Sequence, residues 1–118
     1  MGIFNHSFRL SAIDGQQPMD IDATVDTGAA YTTIPARLLR QLGIEPMGQR
    51  LLLLADGQRV WMDYGEARVT IDDESVTTIV VFSEDNAPSL LGAYTLEGLA
   101  LAVDPLHRRL VPTHLILY

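Results

Sequence analysis

A chain of 118 residues, 47% of them hydrophobic, has room for one folded domain and enough apolar side chains for a core, which excludes a disordered chain. It contains no cysteine, so disulfides, thiolate metal sites and cysteine nucleophiles are ruled out. A formal net charge of −7 and the scatter of only eight Lys and Arg residues argue against nucleic acid, and no apolar run approaches the ~20 residues needed to cross a bilayer.

Met1-Gly2-Ile3-Phe4-Asn5-His6 has no basic stretch leading into an apolar run, so it does not read as a secretory signal. His6 stands where a myristoylation signal has Ser or Thr. The expectation is a cytoplasmic protein without a membrane partner, and the lack of cysteine is compatible with a reducing compartment. Phe8, Leu10 and Ala12 then alternate with Arg9 and Ser11, the period of a half-buried strand. Ile13-Asp14-Gly15-Gln16 is a turn. Ile21, Ala23 and Val25 alternate with Asp20, Asp22 and Thr24, and this strand runs straight into Asp26.

Pro35 to Leu42 is the best helix: Pro35 suits a first turn, Leu38, Leu39 and Leu42 share a face, and Gly43 can end it. Leu51 to Leu54 and Arg59 to Met62 flank Ala55-Asp56-Gly57-Gln58, where Asp-Gly predicts a two-residue hairpin turn with positive φ at both positions. Ala67 to Ile71 and Val76 to Phe82 flank Asp72-Asp73-Glu74-Ser75 as a second hairpin. Leu90-Leu91-Gly92 reads as a short buried strand ending at glycine, and Thr95 to Leu99 as one helical turn. Leu101 to Val103, Arg109 to Val111 and His114 to Leu117 read as terminal strands. Many short strands at close spacing predict an all-β barrel or sandwich with one or two short helices.

The chemistry concentrates in Asp26-Thr27-Gly28, at the end of an apolar strand. Hydrolysing a peptide without metal, Cys or a Ser triad requires a base to deprotonate the attacking water and an acid to protonate the leaving nitrogen. Two adjacent carboxyl groups can do both, because like charges ~3 Å apart cannot both ionise and the pair keeps one proton between them. Each neighbour has a use. Thr27 offers a hydroxyl that can brace the loop by bonding a backbone group. Gly28 lets backbone approach the carboxylate, so that its N–H can support the charge. Ala29 and Ala30 are small enough to pack beneath the loop. By itself the tripeptide is equally compatible with an aspartate capping a turn at a strand corner.

The wider pattern separates these readings. Val25-Asp26-Thr27-Gly28-Ala29-Ala30, followed by Thr33-Ile34, resembles the active-site segment of retroviral-type (retropepsin-like) aspartic proteases. Leu90-Leu91-Gly92 resembles that family's second hallmark, two apolar residues and a glycine passing under the catalytic loop. Leu52 to Val60 looks like its flap hairpin, and the stretch from Ser89 to Pro112 is similar to the ending of small prokaryotic members. The resemblance covers nearly the whole of residues 1–118, taken as one domain. It implies a single-lobe, acid-protease-type closed β-barrel that cleaves peptides or proteins without a metal or other cofactor. It makes Asp26 the catalytic carboxylate, with Thr27, Gly28 and Ala29 supporting its loop. Ala55, Asp56 and Gly57 become the flap over the substrate, and Leu91 and Gly92 the strand behind the loop. Two features depart from the retroviral pattern: Gly57 is the only glycine at the flap tip, and Pro112 interrupts the run toward His114–Tyr118, which otherwise suits an interleaved dimer sheet.

No second Asp-Thr-Gly or Asp-Ser-Gly occurs, since Asp14-Gly15 and Asp56-Gly57 lack the middle hydroxyl. A two-carboxylate mechanism therefore needs a second copy, most economically a two-fold homodimer with both Asp26 side chains on the axis. The alternative is a non-catalytic peptide- or protein-binding module on the same barrel. Other candidates are weaker. Asp20, Asp22 and Asp26 lack the glycine and glutamate of a calcium loop and read as the solvated side of a strand. His6, His107 and His114 have no metal-binding spacing. Trp61 can line the groove under the flap or sit in the core, and the area an aromatic buries favours the core.

Overall fold

The computed structural model describes residues 4–118; the reading of Met1-Gly2-Ile3 as neither a secretory nor a myristoylation signal lies outside the described residues. Alternating side chains build β1 (Asn5–Ser11) and β2 (Met19–Val25), antiparallel with Phe8 opposite Ile21. Phe8, Leu10, Ile21, Ala23 and Val25 turn inward and are buried. Asp20 and Asp22 stay exposed, as the solvated-side reading expects, and Asp20 pairs with Arg9 at 3.5 Å. After the Asp26 loop come β3 (Thr32–Pro35), which sequence patterning did not separate from its surroundings, and α1 (Ala36–Gln41). Gly43, at φ +77°, ends the helix by accepting the left-handed backbone that other residues avoid.

Next are β4 (Gly48–Leu53), β5 (Arg59–Ile71) and β6 (Glu74–Ser83). They are followed by β7 (Leu90–Leu91), α2 (Ala93–Gly98), β8 (Leu101–Asp104) and β9 (Arg109–Pro112). Where the sequence suggested separate strands over 59–62 and 67–71, there is one strand of 13 residues. Its middle glycine, Gly65, is there for a close approach: an added Cβ would lie 2.8 Å from the Glu45 carbonyl oxygen.

β1, β2, β7, β3, β6 and β5 pair in that order, and β5 pairs again with β1 through Arg68–Thr70 against Arg9–Ser11. The ladder thus returns to its starting strand, and the all-β class with two short helices is as the sequence suggested. The interior holds Leu10, Val25, Ile34, Leu39, Val69, Val80, Phe82 and Leu91, among others. Each such burial contributes ~1.5–3 kcal/mol against leaving the side chain in water. β4 lies outside the ring and pairs only with the first half of β5, Arg59–Tyr64, so this hairpin projects from the body.

The first hairpin turn differs from the two-residue type that the sequence suggested. At the β4–β5 tip, Leu54 N–H donates to Gln58 O and Gly57 N–H to Leu54 O, closing a three-residue loop, Ala55–Gly57. Only Gly57 there has positive φ, +89°, the pattern of a type I turn followed by a left-handed glycine. The two-residue turn with both φ positive is Asp72-Asp73, at +51° and +68°, with β6 starting at once at Glu74. Aspartate tolerates that conformation better than most side chains, so a turn without glycine can still be of this kind.

β8 and β9 form a separate two-stranded sheet. Asp104 ties its turn, taking hydrogen bonds from the Leu106 and His107 backbone N–H groups and from Arg109 Nε, and pairing with His107 Nδ1 at 2.8 Å. The His107 ring holds the Asp104 carboxyl below its ordinary value of 3.8, with desolvation opposing and Arg109 assisting. The predicted strand over His114 to Leu117 does not form. Pro112 has no N–H to continue a ladder, and among the described residues the last backbone bond is Thr113 N–H to Ala100 O. Leu115, Ile116, Leu117 and Tyr118 are left exposed.

Candidate active site

The loop carrying Asp26 is fixed at both ends by backbone. β2 lies parallel to β7, with Val25 beside Leu91, and Asp26 N–H donates to Leu91 O at 3.0 Å. Further along, the carbonyls of Ala29 and Ala30 accept from the N–H groups of Ala93 and Tyr94, both at 2.9 Å. Those donors open α2, where no side chain caps them, so the loop satisfies helix N–H groups that otherwise lack a partner. Within the loop, Gly28 N–H donates to Asp26 Oδ1 at 2.9 Å, and Ala29 N–H donates to Asp26 O. A Cβ on Gly28 would sit 3.2 Å from Asp26 Oδ1.

Behind the loop lies a buried chain of hydroxyls. Gly92 N–H donates to Thr32 Oγ1 at 3.1 Å, Thr32 and Thr95 Oγ1 are 2.6 Å apart, and Thr95 and Thr78 Oγ1 are 2.8 Å apart. β3, β6 and α2 are thereby stitched to the residue that follows the strand under Asp26. Gly92 cannot be larger: an added Cβ would lie 2.4 Å from the Tyr31 carbonyl carbon. Beside this junction the Tyr31 and Tyr94 rings meet edge to face, 5.9 Å between centroids.

In front of the loop runs a groove of about 1130 Å³. Its lining includes Asp26, Gly28 and Ala29, then Thr33, Val81 and Leu90 from the strand faces turned away from the core, and Leu52, Val60 and Trp61 from the projecting hairpin. Most of the lining is apolar; the charged members are Asp26, Arg40, Asp63 and Glu84. Asp63 accepts from Gln49 Nε2 at 3.1 Å across the hairpin. Among the described residues, no group of three or more His, Asp or Glu side chains is placed to hold a metal ion.

The structure brings Asp26, Gly28, Ala29 and Ala55 to one groove, with Leu91 and Gly92 buried behind it. Asp56 and Gly57 lie at the exposed hairpin tip, outside the groove lining. Thr27 is exposed, and its hydroxyl bonds no described residue, so the intrachain brace suggested by the sequence is not made. Trp61 is corrected from core to groove: it is 65% exposed, because the first half of β5 runs beyond the ring and leaves no interior for it to enter. The hydroxyl chain Thr32–Thr95–Thr78 escaped sequence reasoning, although a signal was present. Thr78 keeps step with Val80 and Phe82, and Thr32 with Ile34, so both occupy inward positions.

A ring of strands beside an aspartate-bearing loop, with a Leu-Leu-Gly segment beneath it and a hairpin projecting above the groove, is the single-lobe architecture of the aspartic-protease families. The family model described as "gag-polyprotein putative aspartyl protease" matches residues 11–98, and the chain belongs to that family. Among solved structures, the EIAV protease, determined with an inhibitor, is similar at TM-score 0.62 and 15% identity over 97% of this chain and 92% of that one. A retropepsin-like aspartic protease from Rickettsia conorii is similar at TM-score 0.57 and 20% identity, covering 87% of this chain and 88% of that one. The simian foamy virus protease gives TM-score 0.54 and 18% identity over 80% and 94%. At these identities the likeness is one of fold. No curated protein gives a significant match. No helix among the described residues is long and apolar enough to cross a membrane.

Proposed function

We propose that this protein is an aspartic endopeptidase working as a homodimer, in which Asp26 and the partner's Asp26 share one proton. The observation that carries the reading is the Asp26 carboxylate, supported by Gly28 N–H and opening onto a long, largely apolar groove. One carboxylate is ionised and takes a proton from water as that water attacks the scissile carbonyl. The other is protonated and gives its proton to the departing nitrogen. An extended peptide with apolar residues near the cut lies across the two-fold axis, its main chain pairing with the hairpins over Ala55-Asp56-Gly57. Thr27, whose hydroxyl bonds no described residue, braces the loops across the axis, and the exposed segment 115–118 finds apolar cover in the partner. Family membership and fold support this protease reading over a non-catalytic binding module. A cytoplasmic location belongs to the same reading and suits a chain without cysteine.

The test is cleavage of an unfolded protein or peptide mixture across the acidic pH range. The wild type should cut with a bell-shaped pH profile set by two coupled carboxyl groups. Asp26→Asn should leave the fold intact and cut nothing; cleavage equal to wild type contradicts the proposal.

A further inference from the structure

One polar group in the groove lining is unmet. Ser83 closes β6, is 6% exposed, and its hydroxyl has no hydrogen-bond partner; no other buried side-chain nitrogen or oxygen among the described residues is left so. β6 runs parallel to β3 and sets Ser83 beside Pro35. Ser83 lines the groove together with Thr33, Val81 and Phe82, and its Oγ is buried at the edge of that lining. A buried hydroxyl without a partner is unfavourable and is usually kept for a reason.

We propose that Ser83 is a specificity-determining residue whose hydroxyl, turned into the groove about its Cα–Cβ bond, meets an uncharged hydrogen-bonding side chain of the bound peptide: Asn, Gln, Ser or Thr. The inference rests on the groove being the peptide site. A hydroxyl can give and take a hydrogen bond, as carboxamides and hydroxyls do in return. It cannot compensate a buried charge, and the charged groups along the groove, Arg40 among Asp63 and Glu84, are of both signs. Elsewhere the lining selects apolar side chains, so one polar position within an otherwise apolar recognition sequence is the expected signature.

The experiment profiles a randomised peptide library twice, by cleavage with the active protein and by binding to Asp26→Asn, each with and without Ser83→Ala. At one peptide position the parent should prefer Thr over Val, and Asn over Leu, by at least ~10-fold. Ser83→Ala should bring that ratio to about one, and Ser83→Thr, which keeps the hydroxyl, should restore it. A preference absent from the parent, or unchanged in Ser83→Ala, overturns the inference while leaving cleavage standing. Binding with the Ser83-dependent preference but no cleavage upholds the inference and removes the peptidase reading. A groove that neither binds nor cuts any peptide overturns both. Ser83→Ala removes an unmet group, so its melting temperature should not fall, which separates lost preference from lost folding.

Discussion

Leu90-Leu91 and Leu115-Ile116-Leu117 are equally apolar short runs with opposite fates. The first is held on both edges, by β2 and β3, and Leu91 is fully buried. The second pairs with no described strand, and Ile116 and Leu117 are 92% and 85% exposed. Composition cannot separate them; the difference is whether the chain supplies hydrogen-bonding edges and an apolar surface at that place. The lesson is a division of labour. One chain completes the scaffold behind Asp26, and leaves open the features that the proposal assigns to a partner: a second carboxylate, Thr27 and the 115–118 segment.

That contrast can be broken at either side. The largest effect is expected at Asp26, where Asn should lower cleavage by at least ~10³-fold with little change in melting temperature, because a positioned acid–base group is lost and no packing is. Next is Gly92→Ala, which forces a Cβ into the Tyr31 backbone. Denaturant unfolding should show a loss of ~3 kcal/mol or more, since backbone cannot step aside as a flexible side chain can. Removing residues 115–118 should do the reverse. It should leave the unfolding of the isolated subunit nearly unchanged while raising the dimer dissociation constant by roughly 100-fold or more, from ~3 kcal/mol of lost apolar cover. Sedimentation at several concentrations reads this directly, and an unchanged dimer would move the interface elsewhere.

Smaller effects sharpen the comparison. Thr95→Val leaves Thr78 Oγ1 without its Thr95 partner and Thr32 Oγ1 with only the Gly92 N–H, and should cost ~1–3 kcal/mol, with Thr95→Ser recovering most of it. The least is expected at Asp104. Its carboxyl is held below the ordinary value chiefly by His107, so its stabilising contribution is present above pH ~4 and is lost as pH falls through the lowered folded value. Asp104→Asn should therefore melt slightly below wild type near neutrality and converge with it in acid.

Much of this was legible in the chain itself. Period-two alternation located β1 and β2, the turn at Asp72–Ser75 located β6, and Asp26-Thr27-Gly28 with Leu90-Leu91-Gly92 marked the two sides of the candidate site in their order. What escaped depends on tertiary neighbours. The sequence suggested separate strands over 59–62 and 67–71, yet β5 runs through Gly65, where the close Glu45 O leaves no room for a side chain. Asp56-Gly57 sits in a three-residue loop and not the expected two-residue turn, because Leu54 pairs with Gln58 across it. Trp61 has the area of a core residue, but it sits on the half of β5 that projects past the ring. His114 to Leu117 alternates nothing and meets no edge, so its β-forming side chains had no ladder to join.

The shared-proton pair is tested most directly by mixing subunits. Wild type and Asp26→Asn are combined at fixed total concentration, well above the dimer dissociation constant, and allowed to exchange before cleavage is measured. If each active unit needs two intact copies, activity follows the square of the wild-type fraction, so an equal mixture retains about a quarter of full activity. A linear fall, to about half in the equal mixture, would mean that one Asp26 suffices and that the carboxylate pair is not how this protein works.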